Sequence, residues 1–360
     1  MNDDRTHILE FGKLWKMAID VPYSTLVGKG VNAWSCGQLA LSRAAQVLAS
    51  GDLKAQAEIV CTYLEQILLA SDLDVTNVRR IVVYFVRTGS TDDRVLQELF
   101  AARFGVHTMV DLIPLPRFYY DGIELECDLF CGAPVTHAEQ ESSATHRFDL
   151  CMTARDAWLS IASDATALAD TLSALRVFLA RFDFDSSNVL AEHWMASTED
   201  LPAAISMPGL GEGFDALAIV NAGAAPGPVR GRFRLLRDVP VSGSVTHCDD
   251  SVLVVRQAPA EAWLQVRPAG SATGLVDGTR VSMARMAEQL SEMNLQFADV
   301  VKQTAHYVGA SADELHANMR VRNACYTQPG PASTGVPVYG LAAGEAKSVI
   351  DLHLVPGWRA

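Results

Sequence analysis

Three segments of this chain repeat one local pattern at a fixed interval. LEQILLASDLDVTNV ends at Val78, LSALRVFLARFDFDSSNV at Val189 and MAEQLSEMNLQFADV at Val300. In ungapped register Leu64 matches Leu175 and Met286, Leu68 matches Leu179 and Leu290, and Leu73 matches Phe184 and Leu295. Asn77 matches Asn188, and Asn188 matches Asp299, a step of 111 residues each time. A fixed period that keeps apolar positions in phase marks a repeated structural unit. Length alone allows two or three domains in 360 residues; the period selects three. Each unit is large enough to enclose a core and small enough to gain from packing on its neighbours.

The composition, 49% hydrophobic and 20% charged, is that of an ordinary folded protein. A net charge of −13 argues against a nucleic-acid backbone or an anionic membrane as partner, since clustered positive charge holds both. No stretch approaches the roughly 18 apolar residues of a membrane-spanning helix. MNDDRTHILEFGKLWK begins acidic, unlike a secretory leader, so the expected location is cytoplasmic. The seven cysteines are scattered and odd in number, and Cys127-x-x-x-Cys131 lacks a second pair at metal spacing. Reduced thiols and no metal site are expected.

Residues 1–131 read as a strand (31–41, with Gly37 at a bulge or close approach), a helix (54–70), the strand Val78–Val86, a helix at Asp92–Arg103, and strands at Thr108–Leu115 and Ile123–Phe130. Residues 132–147 are small and polar, a linker. The second unit, 148–225, places strands at Ala157–Ile161, Leu190–Met195 and Ala216–Val220 around the helix 165–181. Too few residues separate its last two strands to hold a second helix, so it reads as the degenerate copy. The third, 232–360, opens with strands near Arg232–Leu236, Ser251–Gln257 and Trp263–Val266. It continues with helix 280–292, strand Val300–Val308, helix 311–325, a loop at 327–335 and the strand Ser348–Val355. Alternating helices and strands predict α+β units whose sheets are covered by helices on one face, the other face being buried against the sister copies.

Several short motifs occur in order along the first unit: Pro22-Tyr23-Ser24, Ser35-Cys36-Gly37-Gln38, the helix followed by Asn77-Val78, and Leu115-Pro116 leading to Ile123-Glu124-Leu125-Glu126. In these the unit resembles the Rid superfamily (RidA/YjgF-like proteins, chorismate-mutase-like in fold) along nearly its whole length. The resemblance implies trimer-like packing with sheets facing inwards and sites at the interfaces. Three fused copies would then form a single-chain pseudotrimer, as a monomer or a homodimer. It also implies hydrolysis of 2-amino-acid enamines or imines to 2-keto acids and ammonia. A glutamate handles the water, here Glu124, and an arginine of a Pro-Ala-Arg-Thr segment binds the carboxylate. That arginine position falls on His107 in the first unit and on Ser333 in the third. The third unit is also similar to the chorismatases, which hydrolyse or eliminate the enolpyruvyl ether of chorismate. The matching pieces are Ala305-His306-Tyr307, Arg320-Val321-Arg322-Asn323 and Pro331-Ala332-Ser333-Thr334-Gly335. This likeness implies Tyr307 and Arg322 at the substrate carboxylate, with Glu124 as acid and base.

The residues carry related readings by their own chemistry. Arg320 and Arg322 beside a Gly/Ser/Thr loop make a fork-shaped carboxylate receptor, though residues two apart on a helix point to different sides. Glu124 alternates with Ile123 and Leu125; pressed against another copy, its carboxyl would be desolvated into a general acid. The hydroxyls of Ser333 and Thr334 would hold an oxyanion. His107 would act as a cation or acid–base; the resemblance to the Rid superfamily places Tyr23 near the pocket, and Asn318 joins the substrate-binding set. Cys127 and Cys325 read as buried small side chains, and the tryptophans as core or interface anchors. The expected function is an enzyme acting on a small anionic enamine, imine or enol ether, without metal or organic cofactor. The competing class is a non-catalytic binding or scaffold protein.

Overall fold

The computed structural model describes residues 5–196, 207–208, 215–216, 218–220, 229–269, 274–309, 311–341 and 346–359. Its helices Leu53–Ala70, Leu168–Ala180 and Leu275–Glu292 explain the 111-residue period. Each is followed by a residue in the left-handed region: Asp72 at φ 52°, Asp183 at 61° and Asn294 at 55°. Asp and Asn tolerate that conformation better than most residues. One 3-10 turn comes next, at Val75–Asn77, Ser186–Asn188 and Phe297–Asp299, and a strand begins. Asn77 Oδ1 accepts the Asp74 N–H at 3.1 Å, Asn188 Oδ1 that of Asp185 at 2.8 Å, and Asp299 Oδ2 that of Gln296 at 2.9 Å. The recurring Asn/Asn/Asp is therefore a cap that turns the chain out of the helix and into the sheet.

The strands fall into three sets. The first is Thr6–Glu10, Ser24–Lys29, Asn32–Ser35, Val78–Val86, Met109–Leu115 and Leu125–Cys131. The second is His137–Ser142, His146–Met152, Asp156–Ser163, Val189–Ala196, Ala218–Val220 and Val229–Leu236. The third is Ser242–His247, Ser251–Gln257, Ala262–Pro268, Val300–Tyr307, Ala332–Pro337 and Ser348–Leu354. Within each set the neighbour order is first, second, third, sixth, fourth, fifth. The fourth and fifth strands are always the parallel pair. Parallel neighbours need a long crossover, which helices Asp92–Phe104 and Ala312–Asn323 supply in the first and third sets. In the middle set that crossover falls outside the described residues, and so does the expectation that it lacks a helix.

Val229–Leu236 corrects the expected boundaries. It pairs with Asp156–Ser163 on one side and Val189–Ala196 on the other, so it closes the middle set and does not open the third. Residues 137–147, read as linker, include its first strand. The end of the expected 327–335 loop belongs to the strand Ala332–Pro337. Its first residue pairs with Ser24, joining the third set to the first in one thirteen-stranded sheet. The middle set forms a seven-stranded sheet with Gly340–Leu341 at its edge.

Each sheet carries its long helix on one face. In the first set Ile81, Val83, Phe85, Leu125, Cys127 and Leu129 share a core with the helix residues Val60, Leu64 and Ile67. Strand alternation then turns Arg80, Tyr84, Glu126 and Asp128 to the other face. There the three sets meet around a cavity of ≈ 60 Å³, lined among others by Trp34, Trp158 and Trp263. These tryptophans hold equivalent places on the third strands, facing Phe130, Arg234 and His353 of the sixth strands.

Candidate active site

A second, smaller cavity of ≈ 30 Å³ lies where the first and third sets meet, lined by Glu126, Arg322, Ser333, Tyr23, Cys36 and Gly37. Glu126 comes from the inner face of Leu125–Cys131. Its partner strand residue is Tyr84, and its side chain is buried. Burial holds its carboxyl well above the usual carboxylate range, with the nearby Asp128 charge adding to the effect. Gly37 makes room for it. A Cβ at position 37 would fall 1.8 Å from Glu126 Oε1, so only glycine permits this approach.

Arg322 arrives from the helix Ala312–Asn323, started by a Ser311 Oγ cap on the Glu314 N–H at 3.2 Å. Four residues separate Asn318 from Arg322, one helical turn, and Asn318 Oδ1 accepts from Arg322 Nε at 2.9 Å. Asn318 is itself tied to Thr279 Oγ1 at 2.8 Å, so it positions the guanidinium. Gln303 organises the opposite wall. Its Nε2 donates to Ser333 Oγ at 3.0 Å and to Tyr23 OH at 3.2 Å, and its Oε1 accepts from Tyr326 OH at 3.0 Å. Pro22–Ser24 is zipped to the third set through Gly330 N to Pro22 O (2.7 Å) and Ser24 N to Pro331 O (3.1 Å), which carries Tyr23 into the cavity.

Three buried polar atoms here have no hydrogen-bond partner among the described residues: Glu126 Oε2, Arg322 Nη1 and Tyr307 OH. Buried polar groups are nearly always paired, by protein or by water, so these three atoms are available to a polar ligand. Tyr307 stands beside the cavity. A Cβ on Gly335 would lie 3.6 Å from Tyr307 Cε1 and 4.0 Å from Arg322 Nη2. Burial and the neighbouring Glu126 push the Tyr307 hydroxyl pKa up, keeping it a donor. Burial likewise pushes the Cys36 thiol up to about 12, so it is no nucleophile.

The sequence expectations divide accordingly. Arg322, Tyr307, Ser333, Tyr23 and Asn318 are brought together. Glu124 is not the buried carboxylate: it precedes the strand, only half-buried, with its N–H on Gln56 Oε1 at 2.8 Å. Arg320 is exposed on the far side of its helix. Thr334 alternates away from Ser333 and binds the inner ion pair, donating to Asp128 Oδ1 at 2.5 Å and accepting from Lys302 Nζ at 2.6 Å. His107 is exposed and lines a groove against Glu139 and Arg147 of the middle set, away from this cavity. Sequence reasoning missed Glu126 and Gln303. The signal for Glu126 was its place in ELECDLFC, with strand residues on both sides; nothing local marks Gln303.

No family model and no curated protein matches the chain. Solved structures match part of it. RidA from the Antarctic bacterium Psychrobacter sp. PAMC 21119 is 21% identical, over 35% of this chain and 98% of its own, with a TM-score of 0.30. TdcF of E. coli, solved with bound serine, is 20% identical over 35% of this chain and 97% of its own, with a TM-score of 0.29. YyfA of Yersinia pestis, of the Rid protein family, is 14% identical over 36% of this chain and 100% of its own, with a TM-score of 0.31.

Proposed function

We propose that the chain is a single-chain pseudotrimer of three Rid-like units, residues 6–131, 137–236 and 242–354, with one active site between the first and the third. It hydrolyses, or eliminates from, a small carboxylate-bearing enamine, imine or enol ether. The observation that carries this reading is that Glu126 and Arg322, from different sets, line one cavity with Tyr307 packed near Gly335 of its wall. Arg322 takes the substrate carboxylate through charge-assisted bonds, assisted by Tyr307 OH and Ser333 Oγ. Glu126, kept protonated by burial and by Asp128, gives its proton to the nucleophilic carbon of the enamine, leaving an iminium. The carboxylate so formed takes a proton from the water whose oxygen adds to the iminium carbon. The carbinolamine then expels ammonia and leaves the 2-keto acid.

The test uses an enamine generated in the assay by a β-eliminating enzyme, with 2-keto acid release measured above the spontaneous rate. Glu126→Gln should lower kcat by about 10²- to 10⁴-fold, while Arg322→Gln should chiefly raise KM. Undiminished turnover by Glu126→Gln would end the acid–base assignment. One observation favours the non-catalytic alternative: at ≈ 30 Å³ the cavity has room for about one water. Under that alternative the wild-type protein gives no turnover, yet binds a carboxylate that Arg322→Gln releases.

A further inference from the structure

Glu126 has a counterpart in each set, found from register alone. The fourth-strand residues Tyr84, Met195 and His306 are spaced by the 111-residue period and face Glu126, Arg230 and Val349. The acid at the first position is thus a base at the second and an apolar residue at the third. Arg230 opens onto a cavity of ≈ 340 Å³ between the first and middle sets, far roomier than that at Glu126.

The electrostatics of this cavity are uneven. Its three carboxylates are each engaged by another cation: Asp93 by Arg87 at 2.7 Å, Asp111 by Arg80 at 3.0 Å and Asp149 by Arg147 at 2.9 Å. Arg230 spends one of its five donors on a backbone carbonyl, Leu112 O, at 3.0 Å. Arg232 follows on the same strand face, buried, and also lines the cavity. Arg94, Gln97, Arg147 and Ser160 also line it, and Val110, Ile113, Ile161 and Met195 give it an apolar stretch.

We infer that this cavity is a second, non-catalytic binding site for a small organic carboxylate, whose anionic head sits on Arg230 and whose apolar part lies against Ile113, Ile161 and Met195. An acid that could donate a proton is absent from Glu126's place there, so the site binds without turnover. It stands whether or not Glu126 is a catalyst.

Calorimetric titration with 3-bromopropionate and, separately, with inorganic phosphate tests the inference on the full chain. With the anchor of the first cavity removed by Arg322→Gln, the binding of 3-bromopropionate that remains should weaken at least ten-fold on adding Arg230→Gln. Phosphate, without an apolar tail, should bind more weakly than the bromo acid. Unchanged affinity on adding Arg230→Gln, loss of all binding in Arg322→Gln alone, or no binding at all would each overturn the assignment. If Arg230→Gln fails to fold, anomalous bromine density from soaked wild-type crystals decides. A peak against Ile161 and Met195 supports the site, and bromine absent there or found only at Arg322 refutes it.

Discussion

Gly37→Ala tests the packing on which the whole site rests. The added Cβ would fall 1.8 Å from Glu126 Oε1, 2.6 Å from Cδ and 2.9 Å from Cγ, all inside any real contact distance. Backbone strain is not the issue at this residue, so the full effect comes from displacing one side chain. Overpacking of this kind costs about 1–3 kcal/mol. With an unfolding entropy of about 2.1 cal/mol/K per residue, a cooperative unit of this length would melt about 1.5–4 °C lower. Glu126 can yield only by leaving its position, so turnover should fall together with stability. A double-mutant cycle with Glu126→Ala isolates the cause. Removing the carboxyl group removes the obstacle, so Gly37→Ala should cost little in that background, and the coupling should be about 1–3 kcal/mol. Thermal or denaturant unfolding of the four proteins reads it directly. If Gly37→Ala costs the same with and without the Glu126 carboxyl, Glu126 is not packed on Gly37, and the geometry assigned to the acid is wrong.

Glu126→Gln should stabilise the fold in a pH-dependent way. A carboxyl whose folded pKa is raised leaves the folded state holding the extra proton, so its destabilising effect starts above the unfolded value of about 4.3 and grows as pH rises toward the folded pKa, by about 1.4 kcal/mol per pKa unit. Melting temperatures of variant and wild type should coincide near pH 4 and separate toward pH 8; a constant gap would contradict the buried-acid assignment. Ser333→Ala and Thr334→Val, adjacent on one strand, should have opposite phenotypes. The first should weaken carboxylate binding with little change in stability, and the second should destabilise by about 1.5–3 kcal/mol with binding intact, both read by titration and unfolding. Lys302→Met removes the partner of Asp128, 2.7 Å away and buried, and should cost about 3–5 kcal/mol in denaturant unfolding, much of it recovered by adding Asp128→Asn.

The recurring helix, cap and strand and the sites of most helices and strands were legible in the sequence because each rests on local rules: apolar spacing, a cap, a β-rich run. The nearness of Arg322 to Ser333 was legible too, since both lie around one Gly/Ser/Thr segment, and both line the cavity. Errors arose where local pattern is silent about depth. Glu124 and Glu126 have the same local alternation, and only the neighbouring unit determines which is covered. Ser333 and Thr334 read as turn chemistry because Gly330, Pro331 and Gly335 surround them, yet pairing with Lys302–Tyr307 imposes a strand and sends their hydroxyls to opposite faces. Val229–Leu236 was given to the wrong unit for a similar reason. Sheet neighbours, not chain neighbours, define where a sixth strand belongs.

The inner faces show what three unlike strand sets can do that three identical ones cannot. Asp128, Arg232 and Asp351 occupy one equivalent position, facing Val82, His193 and Thr304, and all three border the central cavity. Arg80, Ala191 and Lys302 form another such set, facing Phe130, Arg234 and His353. Three identical copies would bring three like charges to one buried axis, where repulsion is strongest and carboxylates survive only by taking up protons. Unlike copies can answer charge with charge. Lys302 of the third set meets Asp128 of the first at 2.7 Å, Arg234 of the second meets Glu261 of the third, and Arg256 of the third meets Glu192 of the second at 2.6 Å. Each pair joins different sets, so any other cyclic arrangement leaves buried charges unpaired at several kcal/mol apiece. The same divergence that secures the arrangement leaves Glu126 without an equal at the matching register positions, Arg230 and Val349.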